Sequence, residues 1–217
     1  MTLTQLFRST LNQSPEGFQQ VHQIKDDTRL VTFYRSSLTL LISFGPTLGD
    51  LYFNDKDIGA WARNGADWFR NFDIKKVGGV HEGFLREWES VEDEVRQQIA
   101  DAKPSLLIIT GFSQGSAHAT LATRALSDLG IPIECHAFAT PRVFGWVAGA
   151  TYDNWLTVSK NITLTRYNHR RDPVQHSPFA WMGFAHVGHS VQFGPAGWWD
   201  MAKYHDPSAY ITGLEII

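Results

Sequence analysis

Between residues 82 and 102 the apolar positions Phe84, Trp88, Val91, Val95 and Ile99 recur at steps of three and four, with charged residues between them. A 3.6-residue period collects all five on one face, so the spacing predicts an amphipathic helix over Glu82 to Ala102, stopped by Pro104. Ser105 to Thr110 follows as a short, nearly continuous apolar run, the pattern of a strand covered on both faces. Ser116 to Leu129 reads as a second helix ended by Gly130. Ile133 to Phe138 and Ile162 to Tyr167 read as two further strands. Upstream, Leu30–Tyr34 and Leu38–Phe44 are β-like runs, and Ser36-Ser37 between them allows a tight antiparallel connection. Ser14-Pro15 looks like a helix start, with Ser at the cap and Pro at the first helical position, and predicts a helix to about Ile24. Leu48 to Trp68 is aromatic and irregular. Strands and helices alternate through the centre of the chain, which predicts an α/β fold with a mostly parallel central sheet flanked by helices.

The chain has 217 residues, without internal repeat, low-complexity tract or linker, and reads as one domain over 1–217. The formal net charge is −3 and no basic stripe is present, so nucleic acid is not an expected partner. Eight Trp and fourteen Phe exceed what a core of this size needs and suit a protein that handles apolar ligands. The single cysteine, Cys135, lies in an apolar run and reads as a small buried strand residue; an internal disulfide is impossible. The N-terminus lacks the basic start and apolar stretch of a signal peptide, and no segment approaches the about 18 apolar residues of a membrane span, so a cytoplasmic protein is expected.

The chemistry centres on Gly111-Phe112-Ser113-Gln114-Gly115. Alone, Gly-x-Ser-x-Gly is a weak signal. Here it stands between a buried strand and a helix, where the turn must be very sharp. Glycine at both outer positions removes the Cβ atoms that would clash there, and the serine oxygen is raised to a helix N-terminus. A serine hydroxyl needs a base, ordinarily a histidine oriented by a carboxylate. The candidate acids after Ser113 are Asp128, Asp153, Asp172, Asp200 and Asp206. Asp172 is favoured because it follows a strand end, where open α/β sheets carry their site residues. His176, His186, His189 and His205 all satisfy the order nucleophile, acid, histidine.

Five segments in order resemble the class 3, or fungal-type, lipases of the α/β-hydrolase superfamily. They are Val80-His-Glu-Gly-Phe84, the block Thr110 to Ala122 around Ser113, Phe138-Ala-Thr-Pro-Arg-Val143, Asp172-Pro-Val174, and His205 with Tyr210 shortly after it. The resemblance implies an α/β-hydrolase fold, Asp172 as the acid and His205 as the base. It sets His186-Val-Gly188 aside as a structural segment. It marks Phe44-Gly-Pro-Thr47 as the oxyanion loop. Pro46 has no N–H, so the donors expected there are Thr47 and the backbone N–H of Gln114. Phe112 and Gln114 replace the family's usual His and Leu. Gln114 would add a polar amide at the pocket, and His81 is expected to be structural. Residues 48–66 are expected to form a lid or acyl-site wall, with an ordinary surface helix as the equal alternative.

The implied activity is hydrolysis of carboxylic esters, with acylglycerols or similar lipid esters as substrates and transient contact with a lipid interface. Neither a metal nor an organic cofactor is needed. A phospholipase A1, a short-chain esterase and a catalytically silent binding protein of the same fold are the alternatives. Oligomeric state is not legible in the sequence.

Overall fold

A computed structural model describes residues 1–25, 30–46 and 75–217. Thr47 and the expected lid segment 48–66 lie outside the described residues.

Residues Leu3–Thr10 form helix α1, an element not among those expected from the sequence. A capping box starts it: Gln5 N–H donates to Thr2 Oγ1, and Thr2 N–H donates to the Gln5 side chain. The helix expected from Ser14 is absent. Pro15 instead begins a turn, closed by Phe18 N–H on the Pro15 carbonyl and passing through Gly17 at φ +77°. Gln19–Lys25 is strand β1. It pairs antiparallel with β2 (Leu30–Ser36), as in Ile24 opposite Val31. As the sheet's edge it stays half exposed, which is why its polar residues gave no alternating signal. Ser37, at φ +52°, turns β2 antiparallel into β3 (Thr39–Phe44).

A small hairpin, β4 (Lys76–Val77) and β5 (Val80–His81), leads into helix α2 (Glu82–Ala102). Its buried residues are Phe84, Trp88, Val91, Val95 and Ile99, the five read from the spacing. Strand β6 (Leu106–Phe112) ends at the Ser113 turn, and helix α3 (Gln114–Ala125) begins directly after it. A 3₁₀ turn over Leu126–Leu129 and left-handed Gly130 close that helix. Then come β7 (Ile133–Phe138), the short β8 (Phe144–Gly145), helix α4 (Trp146–Val158) and β9 (Ile162–His169). Beyond the loop carrying Asp172 lie β10 (Phe184–Ala185), β11 (His189–Phe193), α5 (Met201–Tyr204) and α6 (Pro207–Leu214).

Seven strands form the central sheet in the order β1-β2-β3-β6-β7-β9-β11. The first two pairings are antiparallel, and the run from β3 to β11 is parallel. Strands β10, β8, β5 and β4 make a smaller antiparallel sheet. Alternation along the strands divides the core. Leu40, Ile42, Leu107 and Ile109 pack with α2 and α3 on one face. Leu41, Ile108, Phe112, Phe138 and Tyr167 face α1 and α6 on the other. Among the described residues no helix is long and apolar enough to cross a membrane.

Candidate active site

The parallel strands all point their carboxyl ends to one edge of the sheet, and the candidate residues collect there. At the end of β6 the backbone of Ser113 takes φ +57° and ψ −125°, a conformation that costs a non-glycine residue about 1–3 kcal/mol. Its surroundings explain both glycines. A Cβ on Gly111 would stand 2.1 Å from the Gly115 carbonyl oxygen. One on Gly115 would stand 2.3 Å from the oxygen of Phe44 and 2.4 Å from that of Gly45. Helix α3 can therefore start against the end of β3 only because both positions lack side chains. Ser113 N–H is held by the Phe138 carbonyl at 3.0 Å, and Ser116 Oγ donates to the Ser113 carbonyl at 2.5 Å.

Ser113 Oγ lies 2.8 Å from His205 Nε2, and His205 Nδ1 lies 2.7 Å from Asp172 Oδ2. A carboxylate only accepts, so Nδ1 carries the proton and Nε2 accepts from the serine hydroxyl. Asp172 is fully buried. Its Oδ1 accepts from Val174 N–H at 2.9 Å, and its Oδ2 accepts from the Tyr210 hydroxyl at 2.6 Å. The same Tyr210 oxygen accepts from His169 N–H at 3.2 Å. Phe112 stacks on the His205 ring at 4.9 Å and meets Phe7 edge-on at 5.1 Å; Phe7 in turn stacks on Tyr210. An aromatic floor drawn from α1, β6 and α6 thus fixes the imidazole plane.

The other acids and histidines have different work. Asp128 pairs with Arg96, Asp153 accepts from Gly188 N–H, Asp200 from Lys203 N–H, and Asp206 caps α6. His176 stacks on Trp199, and His189 is exposed on β11. His186 Nε2 donates to the Gln175 carbonyl at 2.7 Å; burial, then the charge of Arg166, hold its pKa down at about 3. His81 precedes α2 and packs its ring on Phe84. Burial pushes the Cys135 thiol up to about 12, which removes it as a nucleophile at neutral pH.

Gln114 is the first residue of α3, so its backbone N–H belongs to the helix end beside Ser113. Its side chain differs from the expectation of a pocket amide: it donates to Glu87 Oε2 on α2. The same carboxylate oxygen lies 2.8 Å from His118 Nε2, one turn further along α3. A polar cluster therefore ties α2 to the first turns of α3. No local pattern in the sequence reveals it, because its members are spread over two helices. Phe7 stands outside every motif as well, and its only signal is the spacing with Leu3, Leu6 and Leu11 that marks an apolar helix face.

The model of one family, Lipase (class 3), matches residues 54–182, more than half of the chain. The chain belongs to the class 3 lipase family. Among curated relatives, the secreted mono- and diacylglycerol lipase 1 of Fusarium solani is 30% identical over 135 residues, which cover 57% of this chain and 39% of that protein. The secreted mono- and diacylglycerol lipase A of Penicillium cyclopium is 34% identical over 110 residues, 48% of this chain and 34% of that protein. These matches therefore span well under half of either relative. Among solved structures, a lipase from Rhizopus microsporus var. chinensis superposes with a TM-score of 0.62 at 21% identity, over 83% of this chain and 63% of that one. The triacylglyceride lipase of Rhizomucor miehei gives 0.62 at 22% identity, over 82% and 67%. The fold is the α/β-hydrolase fold, shared with these lipases.

Proposed function

We propose that the chain is a serine carboxylic-ester hydrolase acting on acylglycerols or similar lipid esters, with Ser113 as nucleophile, His205 as base and Asp172 as the acid that orients it. The observation that carries this reading is the unbroken chain from Ser113 Oγ through His205 to Asp172, at 2.8 and 2.7 Å, on a strained serine at a helix start. Membership of the class 3 lipases and the mono- and diacylglycerol lipase names of its relatives support the substrate class.

In the first step His205 Nε2 takes the Ser113 proton as Oγ bonds to the ester carbonyl carbon. The carbonyl oxygen becomes an oxyanion, met by the Gln114 N–H and, in this reading, by Thr47. Protonated His205, steadied by the Asp172 carboxylate, gives its proton to the departing alkoxide as the ester C–O bond breaks. Water then repeats the sequence on the acyl-serine and releases the fatty acid. Asp172 is suited to its part because Val174 N–H and the Tyr210 hydroxyl donate to it as well, which holds the carboxylate in place beside His205.

The test is hydrolysis of a dissolved p-nitrophenyl ester and of emulsified diacylglycerol by the wild type and by Ser113→Ala. The expected loss in kcat is on the order of 10⁴-fold or more; equal rates would end the proposal. A profile over acyl-chain length separates a lipase from a short-chain esterase, and phosphatidylcholine as substrate separates a phospholipase A1. The secreted relatives bear against a cytoplasmic location.

A further inference from the structure

The loops around Asp172 and before His205 expose an unusual amount of aromatic surface. Phe179 is 40% exposed, Trp181 75%, Trp198 89% and Trp199 53%. Local contacts tie these four to one another's neighbourhood. Phe179 and Trp181 stack at 5.9 Å, and Trp199 stacks on His176 at 4.5 Å, three residues before Phe179. Arg171 Nε donates to the Trp198 carbonyl at 2.8 Å, and Asp200 N–H donates to the Arg171 carbonyl. Arg142 clamps the base of the Phe179 loop through the His176 and Pro178 carbonyls. The two segments leave the carboxyl ends of β9 and β11, the sheet edge on which Ser113 also stands.

Burial of this much apolar area is the ordinary fate of a folded chain, and contiguous exposed aromatics mark an interaction face. The charges around them restrict the partner. Arg170 and Lys203 are exposed and Arg171 is half-buried, whereas Asp172 is buried and Asp200 is the one exposed acid within residues 170–203. Tryptophan combines an apolar ring with one N–H donor and concentrates where hydrocarbon meets water. Basic residues beside such rings add attraction to an anionic surface.

We propose that Phe179, Trp181, Trp198 and Trp199, flanked by Arg170, Arg171 and Lys203, form a docking face for a negatively charged lipid–water interface. The inference rests on the ester-hydrolase reading and deepens it: this face holds the Ser113 edge of the sheet against the surface in which the substrate lies. The aromatics engage the acyl boundary and the cations engage the headgroups.

The test uses the full chain with vesicles of phosphatidylcholine alone and of phosphatidylcholine with phosphatidylglycerol. Co-sedimentation and tryptophan emission report binding. The wild type is expected to bind the anionic vesicles with a blue-shifted emission. The double variant Trp181→Ser with Trp198→Ser is expected to bind about tenfold more weakly or worse. Its hydrolysis of a dissolved p-nitrophenyl ester stays within about twofold of wild type, and its rate on emulsified diacylglycerol falls in step with binding. That retained activity also shows the variant to be folded. Arg170→Gln with Lys203→Gln weakens binding to the anionic vesicles and leaves the remaining binding to neutral vesicles unchanged.

Ser113→Ala separates the two proposals. It binds vesicles like wild type and hydrolyses nothing if both hold. If the wild type is inactive on esters yet binds through these tryptophans, only the hydrolase reading fails. Wild-type binding that the tryptophan substitutions leave unchanged, or no binding to either vesicle, overturns the docking face. So does sedimentation showing a dimer that the double variant breaks, which would assign the face to a second copy.

Discussion

Replacing Gly115 by alanine tests the packing that sets the Ser113 turn. The new Cβ would lie 2.3 Å from the Phe44 oxygen and 2.4 Å from the Gly45 oxygen, whereas ordinary contact begins at 3.4 Å. Both obstacles are backbone atoms, so no side chain can swing away, and the end of β3 and the start of α3 must separate by about 1 Å. Overpacking of this kind costs about 1–3 kcal/mol, and in a chain of this size about 2 kcal/mol lowers Tm by ~4–8 °C. On the proposed mechanism the catalytic penalty is larger in proportion, because this movement displaces the Gln114 N–H from the oxyanion position proposed for it. A misplacement of about 1 Å costs on the order of 10²-fold in rate. The matched control is Gly83→Ala in α2, where the new Cβ meets only the His81 ring at 3.4–3.5 Å. Alanine there should be neutral or stabilise the protein by up to about 1 kcal/mol, with activity kept. Thermal unfolding and kcat for a dissolved ester measure both effects. A Gly115→Ala protein with wild-type Tm and kcat would refute the argument that backbone contact dictates the glycine.

Other substitutions probe the remaining supports. Tyr210→Phe takes the acceptor from the buried His169 N–H and one donor from Asp172, so stability should fall by about 1–3 kcal/mol. With the acid less firmly held, kcat should drop about tenfold with KM little changed; unchanged stability and kcat would show the hydroxyl to be idle. Glu87→Ala removes the carboxylate shared by the Gln114 amide and His118, and chemical denaturation should register a loss of about 2–3 kcal/mol, with Glu87→Gln losing less. His186 has a folded pKa of about 3 against an ordinary value of 6.5, so the unfolded chain binds its proton first as pH falls. Its contribution is complete above about pH 6.5 and is lost toward pH 3 at about 1.4 kcal/mol per pH unit. The urea-unfolding free energy of His186→Gln should therefore depend less steeply on pH in that window; an unchanged slope would contradict the assignment.

Regular periodicity was the legible part of the fold. Helix α2 and strands β6, β7 and β9 are long enough, and buried evenly enough, for spacing alone to place them. The N-terminal region misled because Ser14-Pro15 imitates a helix cap, while the pairing that makes Gln19–Lys25 a strand comes from β2. Helix α1 is short, and its signal was the capping pair Thr2 and Gln5 with Leu3, Leu6 and Phe7. At the site, the motif brought out Ser113 and the strand-end position favoured Asp172, while order left four histidines open and only the resemblance to class 3 lipases singled out His205; the three meet in space. The supports from Phe7, Tyr210 and the Glu87 cluster depend on contacts between elements far apart in sequence, and no local pattern encodes them.

Phe7 gives the site an order of assembly. Its ring is fully buried against Phe112, Phe138 and Tyr210, so helix α1 finds its seat only when residues near 210, far later in the sequence, have been synthesised. His205 arrives in the same later stretch and comes to rest on Phe112. On the ribosome, the Ser113 turn can form long before His205 is present. A chain grown only that far would thus hold the serine without the imidazole proposed to deprotonate it, and the proposed hydrolysis would be withheld until synthesis had passed the last of these aromatic contacts.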